Sequence, residues 1–149
     1  MSVTWSLKEF SALTVDELYA ILKLRNEVFV VDQNCVFQDA DGKDPHAWHL
    51  MGYDENNQLA AYTRLLPAGA SFDEASIGRV VSADFARNSG IGKKLMTESI
   101  NKLYSLFGKQ PIKIGAQLYL KRFYESFGFQ QSSDVYLEDG IEHIEMLLS

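Results

Sequence analysis

The chain has 149 residues, 46% of them hydrophobic and 23% charged, with a formal net charge of −6. That length and balance suit one soluble domain with a sizeable core, and the acidic total argues against a nucleic-acid binder. No apolar run approaches the ~18 residues that span a membrane, the N-terminus lacks the basic start and apolar run of a signal peptide, and the one cysteine, Cys35, has no internal partner, so a cytoplasmic protein is expected.

Val3, Trp5 and Leu7 alternate with polar residues and predict a first strand. Thr14-Val15-Asp16-Glu17 is a capping box, a hydroxyl three residues before a glutamate. The helix it opens carries Leu18, Ile21, Leu22, Arg25, Val28 and Phe29 on one broad face. Arg25 is the exception there, either an arginine snorkelling at the edge or a binding residue. Residues 32–48 are polar, irregular and too long for a plain turn, as functional loops often are. Their acids lack the spacing and closing glutamate of an EF-hand, so no metal is expected. They either line the entrance for a cationic substrate or are simply solvated. Residues 49–53 and 59–66 predict a hairpin, Pro67 to Ser71 break the pattern, and a central strand begins near Ser76.

The sequence then runs through Ile77, Val80 and Val81 into the loop Arg87-Asn88-Ser89-Gly90-Ile91-Gly92 and on to Lys93. A helix follows, with Met96, Ile100, Leu103 and Phe107 on one face. Strand, glycine-bearing loop and helix together predict a phosphate cradle. The first turn of a helix has unpaired N–H groups and favours anions, and glycines allow close approach to the backbone. The spacing is neither that of a nucleotide P-loop nor that of a dinucleotide fingerprint. Residues 79–122 hold nine of the 14 basic residues against two acids, a net +7 that leaves −13 elsewhere. A basic middle suits a small phosphorylated ligand, and the acidic remainder suits a cationic partner such as an amine. About half of those lysines are expected to be plain solvated helix positions.

Residues 112–116 predict a short strand. A second helix follows with Leu120, Phe123, Tyr124 and Phe127 inward, stopped by Gly128. Residues 129–136 and 141–147 predict two closing strands about an Asp139-Gly140 turn. This order predicts a mixed α/β sheet with helices on both faces.

Arg87-x-x-Gly90-x-Gly92 resembles the acyl-CoA pyrophosphate loop of the GNAT N-acetyltransferase superfamily. The run from Gln117 to Phe129, with Phe-Tyr-Glu-Ser-Phe-Gly-Phe as its specific part, resembles that superfamily's second signature. Gln117 stands where many members have asparagine, and Leu120 where many have alanine. With Gly-Arg-Val on the central strand, Phe-Val-Val-Asp-Gln-Asn-Cys early and Asp-Gly-Ile-Glu-His-Ile late, nearly the whole chain is similar to the ElaA-like branch. The resemblance implies one GNAT domain over residues 1–149, built on a mostly antiparallel sheet of about seven strands. It also implies transfer of an acetyl group from acetyl-CoA to a small-molecule or peptide amine, with no metal, and with a homodimer as one candidate assembly.

On that resemblance, the amides of residues 87–92, with Lys93, hold the phosphates. The backbone of Val80, Val81 and Ser82 pairs with the pantetheine arm and supplies the oxyanion donor, and Gln117 donates to the same arm. Tyr124 is the implied acid for the leaving thiolate, with a core tyrosine as the alternative. Many members use a glutamate on the central strand as base, but Arg79 occupies that region here. His143 is the preferred substitute because an ordinary imidazole, with pKa near ~6.5, suits the task; a hydrogen-bonded structural histidine explains it equally well. Phe29, His49, Arg64, Arg79 and Arg25 are candidate acceptor-binding residues. Leu24-Arg25-Asn26-Glu27-Val28-Phe29 and Arg64-Leu65-Leu66-Pro67 are also similar to acyl-homoserine-lactone synthases, which share the GNAT core. That second resemblance and a non-catalytic CoA-binding module are the alternatives.

Overall fold

The capping box at Thr14 is present as predicted. Thr14 Oγ1 accepts from the Glu17 N–H at 3.1 Å, and Glu17 Oε1 accepts from the Thr14 N–H at 2.8 Å. This computed structural model describes residues 1–149, and the cap starts helix α1 (Val15–Arg25). The apolar face continues past Arg25 to Val28 and Phe29, but there the backbone widens into a π-helical segment, Asn26–Asp32. Such turns often accompany functional sites.

Eight strands form one sheet: β1 (Thr4–Glu9), β2 (Trp48–Tyr53), β3 (Leu59–Leu66), β4 (Ala75–Ser82), β5 (Ile112–Gln117), β6 (Gln130–Gln131), β7 (Tyr136–Glu138) and β8 (Ile141–Leu148). Their order is β1-β2-β3-β4-β5-β8-β6, with β7 also on β8, and every pairing except β4–β5 is antiparallel. The sheet has eight strands, rather than about seven, because the closing segment 129–136 is interrupted between β6 and β7. Asp139 and Gly140 both have positive φ, 52° and 78°, the geometry that lets a two-residue turn join β7 and β8.

The sheet divides two apolar layers. On one face Ile21 and Leu24 of α1 pack on Met51, Tyr62 and Val81. On the other, Met96 and Leu103 of helix α2 (Ile91–Phe107) and Tyr124 of helix α3 (Lys121–Glu125) pack on Leu65, Ile77, Ile114 and Ile144. The predicted mixed sheet with helices on both faces is what forms.

Two irregularities in β4 position the site. Tyr62 pairs with Val81 but Arg64 pairs with Gly78, so Thr63 alone faces both Arg79 and Val80. This is a β-bulge, and Arg79 adopts φ 51° within it. The extra residue reverses the alternation of the strand. Ile77 packs toward α2, and so does Val80, whereas Val81 faces α1. The second irregularity is a parting of strands. β4 meets β5 only at Ala75–Ile112 and Ser76–Lys113, so the rest of that β4 edge has no strand partner.

Candidate functional site

The parted strands open into a cleft of about 1100 Å³. Val80, Val81 and Ser82 line it from β4, Gln117 from β5, and Phe123 and Tyr124 from α3. Arg87 and Gly92 close one part of it, and Phe29, Arg64, Arg79 and His143 another.

The loop before α2 has the form an anion needs. The Arg87 N–H, expected in the cradle, is instead taken by the Asp84 carbonyl in the short turn before it, and the next bonded amide is that of Lys94, to Gly90 O at 3.4 Å. The amides of Asn88, Ser89, Gly90, Ile91, Gly92 and Lys93 therefore have no backbone acceptor, as expected of a helix start. Gly90 takes φ 80° as the N-cap, a left-handed conformation that a side chain would strain. A Cβ on Gly92 would stand 3.5 Å from the Phe123 ring, so this glycine keeps the cleft wall low rather than solving a backbone problem. Asn88, Ser89, Gly90 and Lys93 are exposed beside the cleft, while Ile91 is turned into the core. The Ser89 hydroxyl bonds back to the Ala86 carbonyl, and Arg87 pairs with Asp84, which steadies the loop.

In the irregular stretch after α1, Asp32 lines the cleft as an entrance would need, but the other acids are drawn into ion pairs. Three of its aspartates meet three arginines. Arg25 Nε reaches Asp39 Oδ2 at 2.8 Å, its Nη1 reaches Asp44 Oδ1 at 2.8 Å, and its Nη2 donates to the Asp39 carbonyl at 3.0 Å. Arg64 grips both oxygens of Asp41 at 2.8 and 2.9 Å and also touches Asp44 at 3.0 Å. Arg79 Nε lies 2.9 Å from Asp39 Oδ1 without hydrogen-bond alignment, and its Nη2 donates to Asp39 O at 3.1 Å. The six charges cancel. Burial opposes the ionised form of Asp41, but Arg64 and the Lys43 N–H outweigh it and hold the carboxyl down to about 2. Asp44 is lowered in the same way, against its own burial, by Arg25 and Arg64.

Two expected acceptor-binding residues therefore lie off the cleft. Arg25 is fully buried, with each guanidinium nitrogen engaged, and is the hub of the ionic cluster rather than a surface grip. His49 is also fully buried. Its Nε2 lies 3.0 Å from the Asp44 carbonyl and its Nδ1 lies 2.7 Å from the Tyr62 hydroxyl, so the proton is assigned to Nε2 and Nδ1 accepts. Burial lowers its pKa, so it is a neutral structural histidine. Phe29, Arg64 and Arg79 do line the cleft.

Residues 25–149 match the acetyltransferase (GNAT) domain. The chain belongs to the GNAT acetyltransferase family. Among its relatives, the protein ElaA of Escherichia coli is 40% identical over 146 residues, covering 97% of this chain and 95% of ElaA. A UPF0039 protein of Synechocystis is 39% identical over 147 residues, 99% and 96% of the two chains. The crystal structure of an acyl-CoA N-acyltransferase from Pseudomonas aeruginosa superposes with TM-score 0.94 at 41% identity, covering 99% of this chain and all of that one. The ElaA-like resemblance read from the sequence is thus shown. No group of three or more His, Cys, Asp or Glu side chains stands close enough to hold a metal ion, and no helix is long and apolar enough to cross a membrane.

Within this GNAT fold, Tyr124 is 5% exposed and packs edge-on against Phe123 and Phe129. Burial, with a smaller contribution from Tyr119, raises its pKa, so the phenol keeps its proton at neutral pH. His143 is also on the cleft wall, its ring stacked on Tyr136. Its Nδ1 donates to the Ile141 carbonyl at 2.7 Å, and its Nε2 lies 3.4 Å from Glu138 Oε2. The ring is thus bonded to backbone on one side and faces the Glu138 carboxylate at the cleft wall on the other. Gln117 exchanges hydrogen bonds with Gln33 at 3.2 and 3.3 Å, joining β5 to the end of the π-helical segment. Sequence reasoning missed Gln33, and no local signal marks a partner 84 positions away.

Proposed function

We propose that the protein transfers the acetyl group of acetyl-CoA to the primary amine of a small molecule or peptide, in the cytoplasm and without a metal, with residues 1–149 acting as one GNAT domain. One observation carries this reading: an unpartnered β4 edge and six acceptor-free amides at the α2 start border the same region of one fold. The amides of residues 88–93 receive the phosphates. The β4 edge at Val80–Ser82 takes the amide-rich pantetheine arm as an added strand, and Gln117 offers its carboxamide to that arm. A free β4 amide faces the thioester oxygen as negative charge develops there. Tyr124 donates a proton to the departing thiolate, and His143 Nε2 takes the proton of the amine, directly or through water. Asp32, Glu138 and Asp139 line the cleft outside the neutralised arginine cluster, so the residual charge there favours a cationic acceptor.

The test is acetyl-CoA binding followed by turnover. At 100 times its dissociation constant, acetyl-CoA should stabilise the protein by about 2.7 kcal/mol through mass action. Free thiol should then appear with one or more members of a primary-amine panel. A melting shift without thiol release from any amine would point to the non-catalytic CoA-binding module. No shift at millimolar acetyl-CoA would remove the reading. Gly92→Val is the control for location, since its side chain would fill the cleft wall beside Phe123.

A further inference from the structure

Arg79 holds a left-handed backbone, φ 51°, at the one position where β4 contains an extra residue. Glycine would take that conformation without strain, and Gly78 stands one residue earlier, yet the position carries a long side chain. The side chain is anchored entirely to the loop between the π-helical segment and β2. Its Nε faces Asp39 Oδ1 at 2.9 Å, its Nη2 reaches Asp39 O at 3.1 Å and Asp41 Oδ2 at 3.3 Å, and the guanidinium stands 5.7 Å from the centre of the Phe37 ring. Asp39 is itself fixed from α1 by Arg25, and Asp41 from β3 by Arg64. The bulge is therefore tied to α1 and β3 through two carboxylates, and its shape decides which β4 groups face the open edge.

We propose that Arg79, held by Asp39, is a positioning residue for acyl transfer. It fixes the β4 bulge so that the free amide beside Val80 points at the thioester carbonyl. The inference rests on the acyl-CoA reading above. It concerns how the strand is aimed, with no contact between Arg79 and the reacting atoms.

The experiment compares the parent with Arg79→Gly, Arg79→Lys and Asp39→Asn. Acetyl-CoA labelled with carbon-13 at the carbonyl is bound to each, and the thioester C=O stretch is read by isotope-edited infrared difference spectroscopy. CoA affinity and the kcat and KM of thiol release with the best amine of the panel are measured alongside. In the parent, the bound carbonyl should absorb at lower wavenumber than free acetyl-CoA, because it accepts a hydrogen bond. In Arg79→Gly the band should move back toward the free value, kcat should fall on the order of 10- to 100-fold, and CoA affinity should stay within about threefold. Arg79→Lys should lie between, since it keeps a charge for Asp39 but loses the fork, and Asp39→Asn should follow Arg79→Gly. Glycine accepts the left-handed backbone, so an Arg79→Gly protein with the parent's band and kcat would overturn the proposal, as would a lower melting temperature with both unchanged. If Arg79→Gly does not fold, the same comparison on Arg79→Lys decides. A parent that binds no acetyl-CoA would sink the acyl-transfer reading itself, whereas a parent that binds and variants that do not differ would sink only the role of Arg79.

Discussion

Arg25 Nε lies 2.8 Å from Asp39 Oδ2, and neither residue has meaningful access to solvent: Arg25 is 0% and Asp39 8% exposed. A buried ion pair of this kind is weak evidence of net stabilisation, but removing one partner leaves the other charged and stranded.

Arg25→Ala should therefore destabilise the fold by roughly 3–5 kcal/mol, because Asp39 and Asp44 both lose their deepest counter-charge. For a chain of this size that corresponds to a fall in melting temperature of roughly 10 °C. Differential scanning calorimetry checks it. An unchanged melting temperature together with lost turnover would return Arg25 to a binding role.

The same cluster should give the protein an acid-labile step. Asp41 titrates at about 2 when folded against an ordinary 3.8, so its contribution is complete above pH 4 and disappears as pH falls from about 4 to 2. The carboxylate is partly open to solvent, so screening reduces that contribution to about 1–2 kcal/mol. Asp44, lowered as well, acts with the same sign. His49, buried neutral with a lowered pKa, gives an earlier loss as pH drops below about 6.5. Melting temperature followed from pH 7 to 2 should show both, and Asp41→Asn should flatten the lower one. A parallel curve for that variant would contradict the pairing.

Tyr124→Phe removes one hydroxyl from an otherwise apolar contact set, so packing and acetyl-CoA affinity should be nearly unchanged. Turnover should fall by about 10²-fold, near the lower end for a general acid, because a thiolate leaves fairly readily. Equal turnover in variant and parent would reduce Tyr124 to a core residue.

For His143, the ring has two partners at the cleft wall: Nδ1 ties the start of β8 to the Ile141 carbonyl, and Nε2 faces Glu138. His143→Ala should lower kcat/KM and flatten the acid limb of its pH profile. A lower melting temperature with the acid limb intact would leave only the structural bond.

Much of this architecture was legible because it is written in local pattern. The Thr14–Glu17 box, the alternating strands, the α2 face and the Asp139-Gly140 turn are each decided within a few residues, and each formed. The strand–loop–helix around Gly90 was legible for the same reason. What could not be read was long-range charge pairing. Asp39, Asp41 and Asp44 look like any polar loop until Arg25, Arg64 and Arg79, from three different elements, converge on them. Arg25 was the one visible hint, a charge on an apolar face, and its outcome depended on partners 14 and 19 positions away. The bulge was equally hidden, since Gly-Arg-Val continues an ordinary strand until β3 pairs against it.

The parting of β4 from β5 bears on how the protein avoids sticking to its own kind. An unpartnered strand edge normally invites another chain to extend the sheet, and proteins blunt such edges or cover them. Here the pairing-competent stretch of β4 sits mid-sheet, with β3 on one side and β5 rejoining it at one end. A slot in that position is closed to a second sheet, and on the proposed acyl-CoA reading a thin, extended, amide-bearing arm is what would enter it. The fold thus leaves one strand edge unpaired while withholding it from neighbouring polypeptides.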